Sequence, residues 1–428
     1  MCFPTFRARN LWAPLVLAIA ADATALTYQQ ALDNALASAP SLKAKSAAVA
    51  AARQLEIPAA ALPDPQLSLG INNLPIEGAD RFGTSTDMMT MRQIGIMQAF
   101  PNRAKRMARA AVARHELAER EQEQELARIE ALTNTATAWL MLYHLNVQQQ
   151  ILDQWEQENQ MLAQTVAARL NANQGLVTES VLPRQEAALL EERRDLLVRD
   201  AHHARAQLQQ WLGELANQPL SGVPPTWQLA TEKTLVEALE RHPALHIYEP
   251  RSKKLAAELD EARADKRPDW AVEMMYGQRQ APMAEDMVSV KFTVDLPIFG
   301  ARRQDPSIAA KLAQQDQLSA EREMQARELA AILSAELANY QQLERAWQRQ
   351  KAVLLPLSEE KVQLATSAWR ANRLPLSELM AARRERQDAQ LRLRELAAQR
   401  DLAAALLHLT FQTPQPSHPA TQGAPAHE

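Results

Sequence analysis

Ala172-Asn173-Gln174-Gly175-Leu176-Val177-Thr178-Glu179 is echoed 199 residues later by Ala371-Asn372-Arg373-Leu374-Pro375-Leu376-Ser377-Glu378. The phase persists beyond the stretch, because Arg184 and Glu186 answer Arg383 and Glu385 at the same spacing. Each copy lies between two long segments of helical composition and reads as a sharp reversal from one helix into the next. Thr178 and Ser377 are expected to cap the returning helices, with Glu179 and Glu378 at the first helical position, where the helix dipole favours an acid. Two such reversals predict two helical hairpins in one chain.

The hairpin arms are long. From about residue 104 to 172 there is neither proline nor glycine, which predicts a helix of roughly 100 Å. It returns over about 179–215. The second hairpin runs down over about 307–371, with an interruption expected near Pro356, and returns over about 378–410. Pro183 falls in the first turns of its helix. The apolar stripes are narrow and set among Gln, Glu and Arg, as in coiled coils. Trp139, Trp155, Trp211, Trp347 and Trp369 are read as packing residues of these stripes.

Upstream of each hairpin the duplication continues. Thr27-Tyr28-Gln29-Gln30 and Thr234-Leu235-Val236-Glu237 read as capping boxes. They lead to Ala35–Leu42 and Ala238–Leu245 at an offset of 203, then to Pro63-Asp64-Pro65 and Pro268-Asp269-Trp270 at an offset of 205. A nearly constant offset through helix, turn and reversal marks an internal duplication of about 200 residues. The expected organisation is a signal peptide (1–25), a first repeat (26–215), a linker (216–230), a second repeat (231–411) and a disordered tail (412–428).

After each Pro-Asp turn the periodicity changes from helical to two. Leu67, Leu69 and Ile71 alternate with polar residues or glycine, and Val272, Met274 and Tyr276 share one parity. Val288, Val290, Phe292 and Val294 alternate with Ser289, Lys291, Thr293 and Asp295, so one face is wholly apolar. The remaining strand, within 88–98, carries Ile94 and Ile96 but also Arg92 on the apolar parity, for which a bulge or a headgroup-level position is expected. Four strands of this length suit a tilted membrane strand, yet outer-membrane barrels need about eight or more, so the chain must oligomerise.

Composition bounds the rest. Arg7 and Arg9 precede a short apolar run, Leu11–Ala20, and small-x-small cleavage sites follow at Ala21-Asp22-Ala23 and Ala23-Thr24-Ala25, with cleavage after Ala25 preferred. The single cysteine, Cys2, lies before that run, so the processed chain would carry no disulfide or thiolate metal site. The formal net charge is −4 with no basic block, which sets nucleic-acid binding aside. Adjacent His202 and His203 point about 100° apart on a helix. His242 and His246 could share a face, but no carboxylate or cysteine pattern completes a site. No metal ligand set, cofactor site or catalytic motif is expected.

The duplication, the two strands per repeat, Leu26–Leu42, both reversals and the strand-end motifs Phe100-Pro101-Asn102-Arg103-Ala104-Lys105-Arg106 and Leu296-Pro297-Ile298-Phe299-Gly300-Ala301-Arg302-Arg303 resemble the TolC family of outer-membrane efflux proteins. Leu62-Pro63-Asp64-Pro65, Asn73-Leu74-Pro75 and Gln98–Arg106 are similar to its heavy-metal branch, which serves cation-exporting resistance-nodulation-division pumps. The lipobox cysteine of some members is absent. The resemblance implies a mainly α fold with a β-barrel portion: an α-helical barrel across the periplasm joined to a trimeric 12-stranded barrel in outer-membrane lipid. It implies as partners two further copies of the chain, a periplasmic adaptor (membrane fusion) protein and an inner-membrane pump, with no enzymatic activity of the chain's own. By position it makes Arg373, Glu378 and Glu179 aperture residues. Gly175, Leu176, Val177, Thr178, Leu374, Pro375, Leu376 and Ser377 become the adaptor-contacting tips. A drug-efflux or type I secretion duct of the same fold, and a soluble periplasmic coiled-coil adaptor, remain alternatives. The apolar parity of Val288–Val294 speaks against the last.

Overall fold

The structure is a computed structural model, and it describes residues 25–281 and 284–412. Except for Ala25, the expected signal peptide lies outside the described residues. So does the expected tail except for Gln412, which closes a terminal π-helical turn and bonds to the linker through Ala230 N and Gln228 O.

Within the span expected for the first repeat lie α1 (Tyr28–Ser38), α2 (Pro40–Ala59), β1 (Gln66–Asn72), β2 (Met91–Phe100), α3 (Arg103–Asn171) and α4 (Val181–Leu212). Within that expected for the second lie α5 (Glu232–Leu239), α6 (Pro243–His246), α7 (Tyr248–Ala264), β3 (Trp270–Arg279), β4 (Met287–Val294), α8 (Gln304–Arg349), α9 (Leu355–Arg370) and α10 (Leu376–Leu407). With 69 residues, α3 extends about 100 Å. The Thr27 capping box forms as expected. The Thr234 one does not: α5 begins three residues earlier, where Thr231 caps by accepting from Thr234 N at 3.4 Å. Thr231-Glu232 supplies a hydroxyl followed at once by an acid, which suits a helix start better.

The interruption near Pro356 is a π-helical turn, Gln350–Leu354, immediately before α9. Pro356 cannot donate to the carbonyl four residues back, and one widened turn absorbs that loss without breaking the arm. Pro183 sits in the first turn of α4, where a missing N–H costs little, and its carbonyl accepts from the buried Asn159 Nδ2 at 2.8 Å.

The four strands make one antiparallel sheet in sequence order. Registers are continuous and place Leu67, Ile96, Met274 and Val290 in one row and Leu69, Ile94, Tyr276 and Val288 in the next. Arg92 lies on the same face, but the expected bulge is absent: it pairs in register with Ile71 and Gln278 at the loop end of the sheet and donates to Thr84 Oγ1 at 3.2 Å. At the opposite end Phe100 stacks on Trp270, with centroids 4.2 Å apart. Among the described residues no helix covers the apolar face, so Leu69, Val288 and Phe292 remain 73, 67 and 70% exposed. Beneath the sheet the packing is a string of small clusters along the arms. The largest gathers Leu26, Tyr28, Leu132, Trp139, Leu208 and Leu212 about α1 and the middle of α3.

The strand-end motif acquires a physical role at the junction of sheet and helices. Asn102 caps α3 by accepting from Lys105 N at 2.9 Å. Its backbone N–H donates to Asp269 Oδ1 at 2.7 Å, and Lys105 reaches Asp269 at 3.3 Å and Asp265 at 2.7 Å. Burial pushes the Asp269 carboxyl upward, but the Asn102 donors and Lys105 outweigh it and hold it below the usual carboxylate range. The second repeat's Pro-Asp turn is thereby clasped to the first repeat's long helix.

Candidate functional site at the helix tips

The tips are built by one recurrent device. Asn173 and Asn372 both adopt the left-handed conformation, with φ 55°, which asparagine tolerates best after glycine. The residue after each donates back to the carbonyl five residues earlier, Gln174 N to Arg169 O and Arg373 N to Ala368 O, both at 2.8 Å. These are Schellman closures of α3 and α9. They account for the Ala-Asn pair shared by the two copies.

Beyond that point the copies diverge. After Gly175 the first chain segment forms a short 3-10 turn, Val177–Ser180, before α4 begins at Val181. Thr178 lies inside that turn and caps nothing. Ser377 is likewise the second residue of α10, whose cap position is held by Pro375 without a side-chain bond. Both hydroxyl-cap expectations are therefore corrected. The turn residue before each start, Leu176 or Pro375, is already extended, with ψ of 137° and 151°.

Gly175 has φ +122°, and a Cβ there would lie 2.8 Å from Glu179 Oε2. The missing side chain lets Glu179 fold back across the tip, where Oε1 accepts from Leu376 N at 3.4 Å. The acid of the first tip thus satisfies the N-terminus of the second hairpin's return helix. Arg169 makes a second cross-tip tie. Its guanidinium lies over the Trp369 ring, 4.6 Å from the centroid, and donates to Asn372 Oδ1. Below these ties Leu162, Val166, Trp369, Leu376, Leu379 and Met380 form a closed apolar cluster. One layer deeper Arg383 and Arg386 converge on Glu158, and Arg384 meets the buried Glu186 at 3.0 Å.

Glu179 is thus engaged within the chain, whereas Arg373 and Glu378 are exposed and, among the described residues, make no side-chain hydrogen bond or ion pair. They are not brought together. Glu378 stands on the rim of an open groove of about 450 Å³ lined by Leu357, Leu364, Ala365, Leu374 and Ala382. Leu176 and Val177 project at 68 and 80% exposure, whereas Leu374 is half-buried and Leu376 wholly buried. The second tip therefore offers fewer apolar contacts to a partner than its sequence suggested. Arg169, Glu158 and Trp369 were not identified as tip residues from sequence, because each acts on a residue that is not its repeat equivalent.

Among the described residues no three His, Cys, Asp or Glu side chains cluster as a metal site, and no helix is long and apolar enough to cross a membrane. No family model and no curated protein matches the sequence. Solved structures do match in fold. The chain is similar to CusC, described in connection with transmembrane channel formation, at 17% identity over 90% of this chain and 91% of that one, with a TM-score of 0.74. It is similar to the outer membrane protein VceC of Vibrio cholerae at 18% identity over 90 and 95% of the two chains, TM-score 0.72. The outer-membrane channel CmeC of Campylobacter jejuni matches at 10% identity over 90 and 85%, TM-score 0.75. The fold is the TolC-like channel fold, mainly helical with a four-stranded sheet. The neighbours are channel proteins, not enzymes.

Proposed function

We propose that this chain forms the outer-membrane exit duct of a tripartite efflux pump, as a homotrimer carrying heavy-metal cations outward through a passive conduit. One observation carries the reading: a four-stranded sheet with one uncovered apolar face continues into helices of about 100 Å. Three copies would supply twelve strands, enough to close a barrel and remove the free edges of β1 and β4. The helices would then traverse the periplasm and present their tips to an adaptor and an inner-membrane pump. The metal substrate rests on the likeness of Leu62–Pro65 and Gln98–Arg106 to the heavy-metal branch. Profiling a deletion strain against metal salts and drugs tests it: sensitivity to drugs alone would replace the metal reading with the drug-duct one.

In this reading Glu378, without a side-chain partner among the described residues, is the acid that faces the narrow end of the duct. Three related carboxylates there concentrate cations and repel anions. Glu378→Gln is expected to lower cation over anion selectivity and to weaken block by divalent cations in planar-bilayer recordings. Unchanged selectivity and block would remove Glu378 from the aperture. Glu179→Gln has another expected signature, since its carboxylate caps Leu376: looser tips and a longer open time, with selectivity kept.

A processed N-terminus is part of this reading, and the surroundings of Leu26 support cleavage after Ala23 in place of the expected cut after Ala25. Leu26 is 2% exposed, and its N–H donates to Pro219 O at 2.8 Å. Cleavage after Ala25 would place a charged ammonium there, and burying a charge costs several kcal/mol. Cleavage after Ala23 leaves an ordinary amide. The intact mass of the exported protein is expected to correspond to a chain starting at Thr24; a start at Leu26 would refute this.

A further inference from the structure

The internal repeat makes the clasp at Asp269 informative about a place where the chain has none. In the first repeat the same Pro-Asp turn is present at Pro63-Asp64, but Asp64 is exposed and, among the described residues, its side chain has no partner. The sheet order β1-β2-β3-β4 explains the difference. The Asp269 turn enters β3, which lies beside β2, so Asp269 faces the start of α3 and its Lys105. The Asp64 turn enters the edge strand β1, which has no neighbour on that side.

The missing neighbour is the end of β4 and the start of α8. Carrying Lys105 forward by the 198 residues that relate Ile94 and Ile96 to Phe292 and Val294 lands on Arg303. Arg303 and Arg302 are exposed and, among the described residues, form no side-chain bond. An unpartnered carboxylate therefore stands on one edge of the sheet and unpartnered guanidinium groups on the other, both at its helix end. Within one chain these edges are separated by the two intervening strands. The parities agree with a join as well: matching Asp64 to Asp269 and Arg303 to Lys105 sets Leu69 opposite Val294 and Ile71 opposite Phe292, apolar against apolar. A slip of one residue would turn every side chain to the wrong face.

We propose that Asp64 of one copy is held by Arg303 of the next copy, repeating between protomers the clasp that Asp269 and Lys105 make within one. This rests on the trimeric reading above. The intramolecular clasp has both side chains about one-fifth exposed, 24% for Asp269 and 19% for Lys105. Closure of the barrel would shelter Asp64 and Arg303 similarly, so the pair is screened less than a surface pair. Arginine in place of lysine allows two parallel hydrogen bonds to the carboxylate.

The test uses the full-length protein purified from the outer membrane in detergent. Asp64→Arg and Arg303→Asp alone are each expected to lower the temperature at which the trimer dissociates on semi-native gels, and the double exchange to restore it. In a second measurement, Asp64→Cys combined with Arg303→Cys and treated with a short bis-maleimide should give covalent dimers and trimers absent from either single variant. If light scattering finds a trimer but the charge variants dissociate like the wild type and no cross-link forms, the clasp is overturned and the trimer stands. If the wild type is a monomer in detergent and in membranes, both fall.

Discussion

Replacing Val290 by arginine is expected to empty the outer-membrane fraction of this protein. Val290 lies in the row Leu67–Ile96–Met274–Val290, well inside the sheet, and is 54% exposed on the face that none of the described helices covers. An arginine at the midplane of a membrane barrel costs about 2–4 kcal/mol. Three copies in one barrel multiply that to roughly 6–12 kcal/mol, comparable to the whole stability of an ordinary domain. Ser289→Arg supplies the control, because Ser289 has the opposite parity and pairs with Met275 on the side that carries the Glu273–Lys291 ion pair. Sedimentation of membranes on a sucrose gradient, followed by immunoblotting, reads both variants. The expected result is loss of Val290→Arg from the outer-membrane fraction and near-normal recovery of Ser289→Arg. Equal recovery of the two would mean that this face does not meet lipid. Recovery of the wild type in the soluble periplasm without detergent would favour the adaptor alternative instead.

The contrast between these two neighbouring residues also explains why the strands were legible in the sequence. In the proposed barrel one face would meet lipid, which admits only apolar side chains, and the other water, which matches the nearly unbroken alternation of β4. Arg92 looked like a fault because a linear pattern carries no depth. The register puts it at the loop end, where a long cationic side chain can leave the apolar layer. The long arms were legible for a different reason: the absence of proline and glycine over the span of α3 leaves helix as the only economical conformation. Their ends were less so. Thr178 and Ser377 satisfy every local criterion for a cap, yet neither caps, because an extended Leu176 or Pro375 already sets the entry angle and Glu179 serves the N-terminus from across the tip.

Much of the tip chemistry lay beyond the repeat comparison by its nature. Aligning the two copies brings equivalent residues together, Glu179 with Glu378 and Arg184 with Arg383. Two hairpins packed side by side pair residues that are not equivalent. Arg169 binds the Trp369 and Asn372 of the other hairpin, and Glu158 collects Arg383 and Arg386. The one sequence signal that did foreshadow this asymmetry was Gly175, which stands where the second copy has Leu374. A glycine with φ +122° against which Glu179 packs is the local requirement that makes the first tip's acid a strap, whereas Glu378 of the second tip is exposed and has no side-chain partner among the described residues. The partition assigns different tasks to two acids that look interchangeable in the sequence.

Trp139→Ala should cause the largest loss of stability of any substitution in the helical body. The indole is fully buried. It meets Tyr28 edge-on at 5.4 Å, stacks on Tyr143 at 5.4 Å and donates to Leu26 O at 3.1 Å. Its position is architectural: it joins the middle of α3 to the N-terminal segment, which the linker holds through Leu26 N to Pro219 O and Ser221 N to Leu26 O. Truncating a buried tryptophan costs about 3–5 kcal/mol, and the two aromatic contacts contribute roughly 0.5–1.5 kcal/mol each beyond their buried area. The lost hydrogen bond adds little, because Leu26 O still accepts from Ser221 N. Trp139→Phe, which keeps most of the apolar contact and loses the donor, separates these contributions and is expected to cost only about a third as much. Urea denaturation of the detergent-solubilised protein, followed by circular dichroism, gives the midpoints. Limited proteolysis supplies the local readout. Release of the N-terminal segment should expose 216–230 to cleavage in Trp139→Ala before the long arms are attacked, whereas Trp139→Phe should be cut like the wild type. Equal midpoints for the two variants would mean that the ring's volume contributes less than its hydrogen bond to Leu26 O.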